Sequence, residues 1–310
     1  MNVLVTGGAG FLGSEIAAFL ARSGHEVWSY DHYVIEHQVE RDGVTYMATP
    51  GDVLDVPHLY KVFARVQPEV VVHAAAVVGP PASIVRPALV TNVNINGSVN
   101  VFEAALFFGV RRVVDISSEE VYGPFTAPEI DEEHPKAPNS PYGVTKLTVE
   151  MLAGQYVDHF GLDYVAARVC WAYGARYPRV RPPQSWFKDA IAGRHTVVPN
   201  GGDHRIDLTY VDDVAEGIRL LAEAPSLRHR AYHITSGQAQ TMRELAEAVR
   251  TLVPEWTYEM GPGLIEMGPG FTAAPKGAMS NARAREDVGF APRFTLEDGL
   301  RRNLEDLLAG

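Results

Sequence analysis

Cysteine is nearly missing from this chain of 310 residues: Cys170 is the only one. That excludes an internal disulfide framework and suits a reducing compartment, so a cytoplasmic protein is expected. Long apolar runs are missing as well. None approaches the roughly 20 residues that a membrane-spanning helix needs, although apolar residues make up an ordinary 46% of the chain. There is no excess of positive charge either. The 27 Lys and Arg against 38 Asp and Glu leave a formal net charge of −11, so neither nucleic acid nor an anionic membrane is an expected partner. The 11 histidines and single cysteine show no metal-ligand spacing, and no metal site is expected. A strand-like run begins at Asn2, so no signal or transit peptide is expected. What remains is a globular chain long enough for one large α/β domain and a second, smaller lobe.

Residues 2–6 (NVLVT) form a short apolar run that breaks at GGAGFLG and continues as SEIAAFLARSG. Ile16, Ala17, Phe19 and Leu20 lie at helical spacing, and Gly24 stops the pattern. Strand, glycine turn and helix give Gly7, Gly10 and Gly13 a common purpose. Gly7 permits the tight turn, Gly10 lets a pyrophosphate approach the backbone, and Gly13 lets the helix pack on the sheet. The helix N-terminus offers free N–H groups and a positive dipole to phosphates. The next run, HEVWSYD, ends in Asp31, at about the 20-residue distance where a carboxylate holds a ribose 2′-OH and repels a 2′-phosphate. NAD is therefore expected rather than NADP.

The pattern then repeats. Strand-like runs at 45–48, 69–73 (EVVVH) and 111–118 (RRVVDISS) alternate with helical ones at about 57–66 and 91–108. A helix over 142–160 precedes another strand-like run, YVAARVCW. This alternation predicts a doubly wound parallel sheet with ligands at the carboxyl ends of its strands. Gly13, Asp31, Asp52, the alanines at 74–76 and Ser118 all fall at such ends. The Pro- and Arg-rich AYGARYPRVRPPQ leaves the sheet, residues 206–214 return to it, and 231–235 read as its last strand. A helix is predicted over 241–252 and a closing one over 295–308. EMGPG occurs twice, at 259–263 and 266–270, and reads as a loop or lid without regular structure.

Between Ser117 and Lys146 the chain gathers a hydroxyl (Ser118), adjacent carboxylates (Glu119, Glu120), a phenol (Tyr142) and an amine (Lys146). Tyr142 and Lys146 are four apart, so on a helix they share a face with Cβ atoms about 5–6 Å apart. An ammonium there favours the phenolate, and a phenol lowered toward neutrality can take a proton from a substrate hydroxyl.

In these motifs the chain resembles the extended short-chain dehydrogenase/reductase family, in its NAD-dependent epimerase/dehydratase branch. The resemblance rests on TGGAGFLG, Asp31, GDV at 51–53, HAAA at 73–76, NINGS at 94–98, SSEEVYG at 117–123, YGVTK at 142–146, RIDLTYVDDVA at 205–215 and HITSGQAQTMRELAEAV at 233–249. It implies an α/β Rossmann domain formed by 1–170 and 206–237, and a discontinuous substrate-binding lobe formed by 171–205 and 238–310. NAD would lie with its pyrophosphate at Gly7, Gly10, Phe11, Leu12 and Gly13, its ribose at Asp31 and its adenine at Asp52 and Val53. Ala74, Ala75, Asn94, Tyr142 and Lys146 would flank the nicotinamide end. Tyr142 would be the proton acceptor, with Lys146 lowering its pKa and Ser118 binding the reacting oxygen. Glu120 would be a base for dehydration, or the equivalent Glu of a decarboxylase. Glu119 would be an acid or a solvated loop carboxylate. Members of this branch commonly dimerise through the helices at about 91–108 and 142–160, so a homodimer with a four-helix bundle is implied.

The substrate side departs from the family pattern. The segment Arg168-Val-Cys-Trp-Ala-Tyr-Gly174 carries Trp171 where relatives have an Asn that holds the nucleotide diphosphate. An indole is bulkier and cannot accept a hydrogen bond. The usual C-terminal Arg-Pro-Gly-Asp is absent, leaving Arg205, Arg176, Arg179 and Arg181 as candidate anion contacts. Trp186 reads as core or as a second narrowing of the pocket. The default substrate is a nucleotide sugar, converted by an epimerase or dehydratase. The alternatives are a dehydrogenase of a small polar alcohol or free sugar acid and a non-catalytic NAD-binding regulator.

Overall fold

The computed structural model describes residues 1–267 and 270–309. In chain order it runs β1 (Asn2–Thr6), α1 (Phe11–Arg22), β2 (Glu26–Asp31), β3 (His37–Arg41), β4 (Val44–Pro50), α2 (Val56–Val66), β5 (Val70–His73), α3 (Pro80–Val85), α4 (Pro87–Thr91), α5 (Gly97–Phe107) and β6 (Arg112–Ser118). After these come β7 (Glu129–Ile130), α6 (Pro141–Phe160), β8 (Tyr164–Val169), β9 (Trp171–Tyr173), α7 (Gln184–Ile191), β10 (Thr196–Val198), β11 (Arg205–Tyr210) and α8 (Val211–Glu223). The chain ends with β12 (Ala231–His233), β13 (Ala239–Thr241), α9 (Met242–Leu252), β14 (Tyr258–Met260), β15 (Ala278–Met279), α10 (Ala282–Val288) and α11 (Leu296–Ala309).

Eight strands form the main sheet in the order β12-β8-β6-β5-β1-β2-β4-β3, parallel throughout except for the β3–β4 pair. Its central strands are buried on both faces, which is why NVLVT and VVVH read as near-continuous apolar runs rather than alternating ones. One apolar layer packs α1 and α8 on one face, and a second packs α2, α5 and α6 on the other. Register aligns the strand ends: Thr6 pairs with both Tyr30 and His73, so the glycine turn, Asp31 and Ala74 emerge side by side. β6 runs on past its pairing with β5 and carries Ser118 level with Val169 of β8.

Four expectations are corrected. β3 was not anticipated: Asp42 and Gly43 both have positive φ and turn β3 back on β4, the primed turn that an Asp-Gly pair between strands encodes. The segment at 205–210 does not return to the main sheet. It pairs with β9 and β13 in a separate three-stranded sheet, and Ile206, Leu208 and Tyr210 pack into the C-terminal lobe's own core with Trp186, Trp256 and Leu245. The helix expected over 91–108 is α4 and α5 joined by a π-turn at Asn92–Asn96. The first EMGPG is not irregular throughout, because Tyr258–Met260 pairs with β10. The second includes residues 268 and 269, outside the described residues, and the lid reading rests partly on them.

No helix among the described residues is long and apolar enough to cross a membrane.

Candidate active site

A cavity of about 1440 Å³ opens along the carboxyl ends of the main-sheet strands, where a doubly wound sheet places its ligands. Gly7, at φ +69°, turns the chain out of β1, and a Cβ there would lie 2.6 Å from the backbone nitrogen of Ala75. At Gly13 a Cβ would lie 2.1 Å from the Gly7 carbonyl oxygen. The two glycines thus let the turn, the Ala74–Ala75 loop and α1 close on one another. Helix α1 starts after Gly10 with no side-chain cap, so its first N–H groups, at Phe11, Leu12 and Gly13, open on the cavity. Asp31 is buried at the rim, where Oδ2 accepts from Ala9 N at 3.1 Å and Oδ1 from Tyr33 N at 3.1 Å. Asp52 and Val53 line the same end, with Asp52 Oδ1 accepting from Leu54 N at 2.9 Å.

Ser118, Glu119 and Glu120 leave the end of β6 in a short 3-10 turn, and the Ser118 hydroxyl accepts from Glu120 N at 3.2 Å. Helix α6 begins opposite. Ser140 caps it by accepting from Gly143 N at 3.1 Å, and Pro141 takes the first turn, where no N–H is needed. Tyr142 and Lys146 therefore face the cavity beside Ser118.

Their electrostatics differ from expectation. Burial pushes the Tyr142 phenol well up, although the Ser118 hydroxyl opposes the rise. Lys146 Nζ donates to the Ile116 carbonyl at 2.6 Å and lies 4.0 Å from buried Asp115. In this arrangement the ammonium is committed to the end of β6, and desolvation governs Tyr142. Asp115 was missed by sequence reasoning; its carboxyl is pushed up by burial and opposed by Lys146.

Asn94 does not reach the cavity wall. Its amide accepts from Val77 N at 2.8 Å and donates to the Val77 carbonyl (3.2 Å) and Thr145 Oγ1 (3.0 Å), stapling the loop after β5 to α6. Beneath that loop, burial lowers His73 to about 3, leaving a neutral imidazole between Thr6 and Ser98.

Glu119 is not a solvated loop carboxylate. It is buried on the cavity wall, and its Oε2 has no hydrogen-bond partner among the described residues. Glu120, also buried, lies 3.5 Å from Lys276 Nζ. Burial raises its carboxyl most, Lys276 opposes the rise and Glu119 adds to it.

Trp171 lines the cavity with the Arg181 guanidinium 3.9 Å above its ring, and the same guanidinium lies 4.9 Å from the Tyr177 ring. Arg179 and Arg181 line the cavity, whereas Arg176 and Arg205 do not. Arg176 is exposed and paired with Asp42 of the hairpin turn at 3.0 Å and Glu15 of α1 at 3.5 Å, which draw it off the cavity. Arg205 is exposed at the start of β11 and donates to the Ala239 carbonyl. Trp186 is core, packed against Trp256. No cluster of three or more His, Cys, Asp or Glu side chains that could hold a metal occurs among the described residues.

The uncapped helix, the rim carboxylate and the cavity's length along the strand ends fit a dinucleotide, so the site is that of an NAD-dependent enzyme with a Tyr–Lys pair. The model of the NAD dependent epimerase/dehydratase family matches residues 3–235, and the chain belongs to that family. It is 30% identical to a UDP-glucose 4-epimerase of Mycolicibacterium smegmatis over 98% of both chains. It is 31% identical to a dTDP-glucose 4,6-dehydratase of Streptomyces niveus, covering 98% of this chain and 92% of that one. Among solved structures, the Thermus thermophilus UDP-glucose 4-epimerase in complex with NAD matches with a TM-score of 0.85 at 27% identity, over 100% of this chain and 99% of that one.

Proposed function

We propose that this enzyme epimerises or dehydrates the sugar of a nucleotide sugar through a keto intermediate. The observation that carries this reading is a single cavity of about 1440 Å³ holding the glycine turn at one end and Ser118, Tyr142, Lys146 and Glu120 at the other. That exceeds the roughly 300–1,000 Å³ of a one-ligand pocket, so it has room for a dinucleotide and a second nucleotide. NAD held by Gly7, Gly10, Phe11, Leu12, Gly13 and Asp31 supplies a hydride acceptor and donor. Tyr142 takes the proton of the substrate hydroxyl, and Ser118 donates a hydrogen bond to the same oxygen as it becomes a carbonyl. Lys146, one helical turn beyond Tyr142, supplies a cation to this end of the cavity. Glu120 faces the carbon next to the carbonyl, whose C–H the ketone acidifies. Arg179 and Arg181, unpaired with carboxylates among the described residues, are the groups on this wall suited to a diphosphate. The lobe built from 171–205 and 238–310, with β11, forms the substrate side.

The reading is tested by incubating the NAD-loaded protein with UDP-glucose and dTDP-glucose and analysing the hexose by NMR. Conversion without net NADH is expected; no conversion and no thermal stabilisation by either would make the substrate class wrong. A second reading, a dehydrogenase of a small polar alcohol, draws on Trp171 and Arg181 filling the wall, and NADH accumulating stoichiometrically would favour it. We also infer a homodimer through α5 and α6, because Phe107 (72%) and Met151 (65%) are exposed on these adjacent helices. Light scattering showing a monomer would remove it.

A further inference from the structure

The residue with no part in the reading so far is Lys276. Its position is built by long-range pairing: Phe125 N donates to the Pro275 carbonyl at 2.9 Å, and β15 pairs with β7. That pairing fixes its side chain beneath the 119–123 turn. Lys276 is buried, its Nζ donates to the Gly123 carbonyl at 3.1 Å, and the ammonium lies 5.0 Å over the Phe125 ring. Glu120, at 3.5 Å, is its one carboxylate partner among the described residues.

Glu120 borders two spaces. One is the large cavity beside Ser118 and Tyr142; the other is a small void of about 10 Å³ shared with Lys276, Trp171 and His204. That void is at the lower limit for a single water, and a water there carries no charge to replace that of the ammonium. His204 is buried, its Nδ1 has no hydrogen-bond partner among the described residues, and burial, aided by Lys276, lowers it to about 4. The imidazole there is neutral and supplies no charge.

We propose that Lys276 is a positioning residue that holds Glu120 as a carboxylate facing the reacting carbon, and so equips this site for proton transfer beside the ketone. Four groups face Glu120. Glu119, from its own turn, repels a negative charge; Tyr142, from α6, is held neutral by burial; His204, from the loop before β11, is neutral; Lys276 alone is cationic. Burial and Glu119 both favour the protonated acid, and a carboxylic acid cannot accept a proton. With Lys276 in place, the C–H proton beside the ketone passes to a Glu120 oxygen while the C–H electron pair moves into the enolate, whose oxygen Ser118 binds.

This inference rests on the proposed reading of the site, so its test avoids turnover. Infrared difference spectra of the NAD-loaded protein at pH 7 report a protonated carboxyl directly. Lys276→Gln keeps a donor for Gly123 but removes the charge; Lys276→Arg keeps the charge. The expected result is a new protonated-carboxyl band in Lys276→Gln, absent from wild type, from Lys276→Arg and from Lys276→Gln/Glu120→Gln. The midpoint of its pH titration should lie roughly one to three pH units above that of wild type. A Lys276→Gln spectrum superimposable on wild type overturns the proposal even where nucleotide sugars are turned over. The added band persisting in Lys276→Gln/Glu120→Gln overturns it too. Should Lys276→Gln fail to fold, the wild-type titration against Glu120→Gln decides: Glu120 already protonated at pH 7 is the contrary result.

Discussion

The two walls of the cavity are built differently. The cofactor wall comes from short, contiguous pieces: the turn at 7–13, Asp31 at the end of the next strand and the 51–53 loop. Each is fixed by backbone geometry, such as the 2.1 Å that separates a Cβ on Gly13 from the Gly7 carbonyl. The substrate wall is assembled from distant pieces, with Trp171, His204 and Lys276 brought to Glu120 by the small sheet and the β7–β15 pair, and Arg181 stacked on Trp171. Its contacts are a stacked guanidinium and a buried ion pair, which depend on side-chain chemistry rather than on backbone closeness. The cofactor wall tolerates no Cβ at Gly7 or Gly13, whereas the substrate wall can change specificity without changing the fold.

Breaking the cofactor wall should have the largest effect. Gly13→Val forces backbone apart at the turn, an overpacking cost of about 1–3 kcal/mol or more, so loss of bound NAD in the purified protein and a lower melting temperature are expected. On the substrate wall, Arg181→Ala removes a cation stacked on Trp171 and should raise KM for a nucleotide sugar about tenfold, or ~1.4 kcal/mol. NAD binding measured by titration calorimetry should stay as in wild type.

A pH-dependent effect concerns Asp207, buried behind Glu119 and accepting from Ser236 Oγ at 2.6 Å. Burial raises its carboxyl to about 7, against about 3.9 in an unfolded chain. Between those values the folded state holds the extra proton, so this group stabilises the fold at low pH and that contribution fades as pH rises toward 7. Asp207→Asn should therefore flatten the fall in melting temperature between about pH 4 and pH 7. The smallest effect is expected at Arg176, whose exposed pairs with Asp42 and Glu15 lie off the cavity. Arg176→Ala should change stability by less than about 1 kcal/mol and leave KM unchanged.

The same contrast governs what could be read in the sequence. Gly7, Asp31, Ser118 and Tyr142 were legible because each sits at a strand end or helix start that local periodicity marks. Asn94 was legible as a position but not in its contacts, because hydrogen bonds to Val77 and Thr145 take up its amide. Arg176 was singled out by charge and Arg205 by its RIDL motif, and neither tells which way a side chain turns. Lys276 carried no local signal; its place beside Glu120 exists only once β15 has paired with β7. Strand β11 was misassigned because an apolar run does not say which sheet it joins.

The most direct test compares wild type with Tyr142→Phe, both loaded with NAD, on UDP-glucose and dTDP-glucose. The expected result is hexose conversion by wild type with no net NADH. Tyr142→Phe should lose about 10²–10⁴-fold in rate while keeping its NAD. Full activity in Tyr142→Phe, or a wild-type enzyme that binds NAD and converts neither nucleotide sugar, would contradict the account.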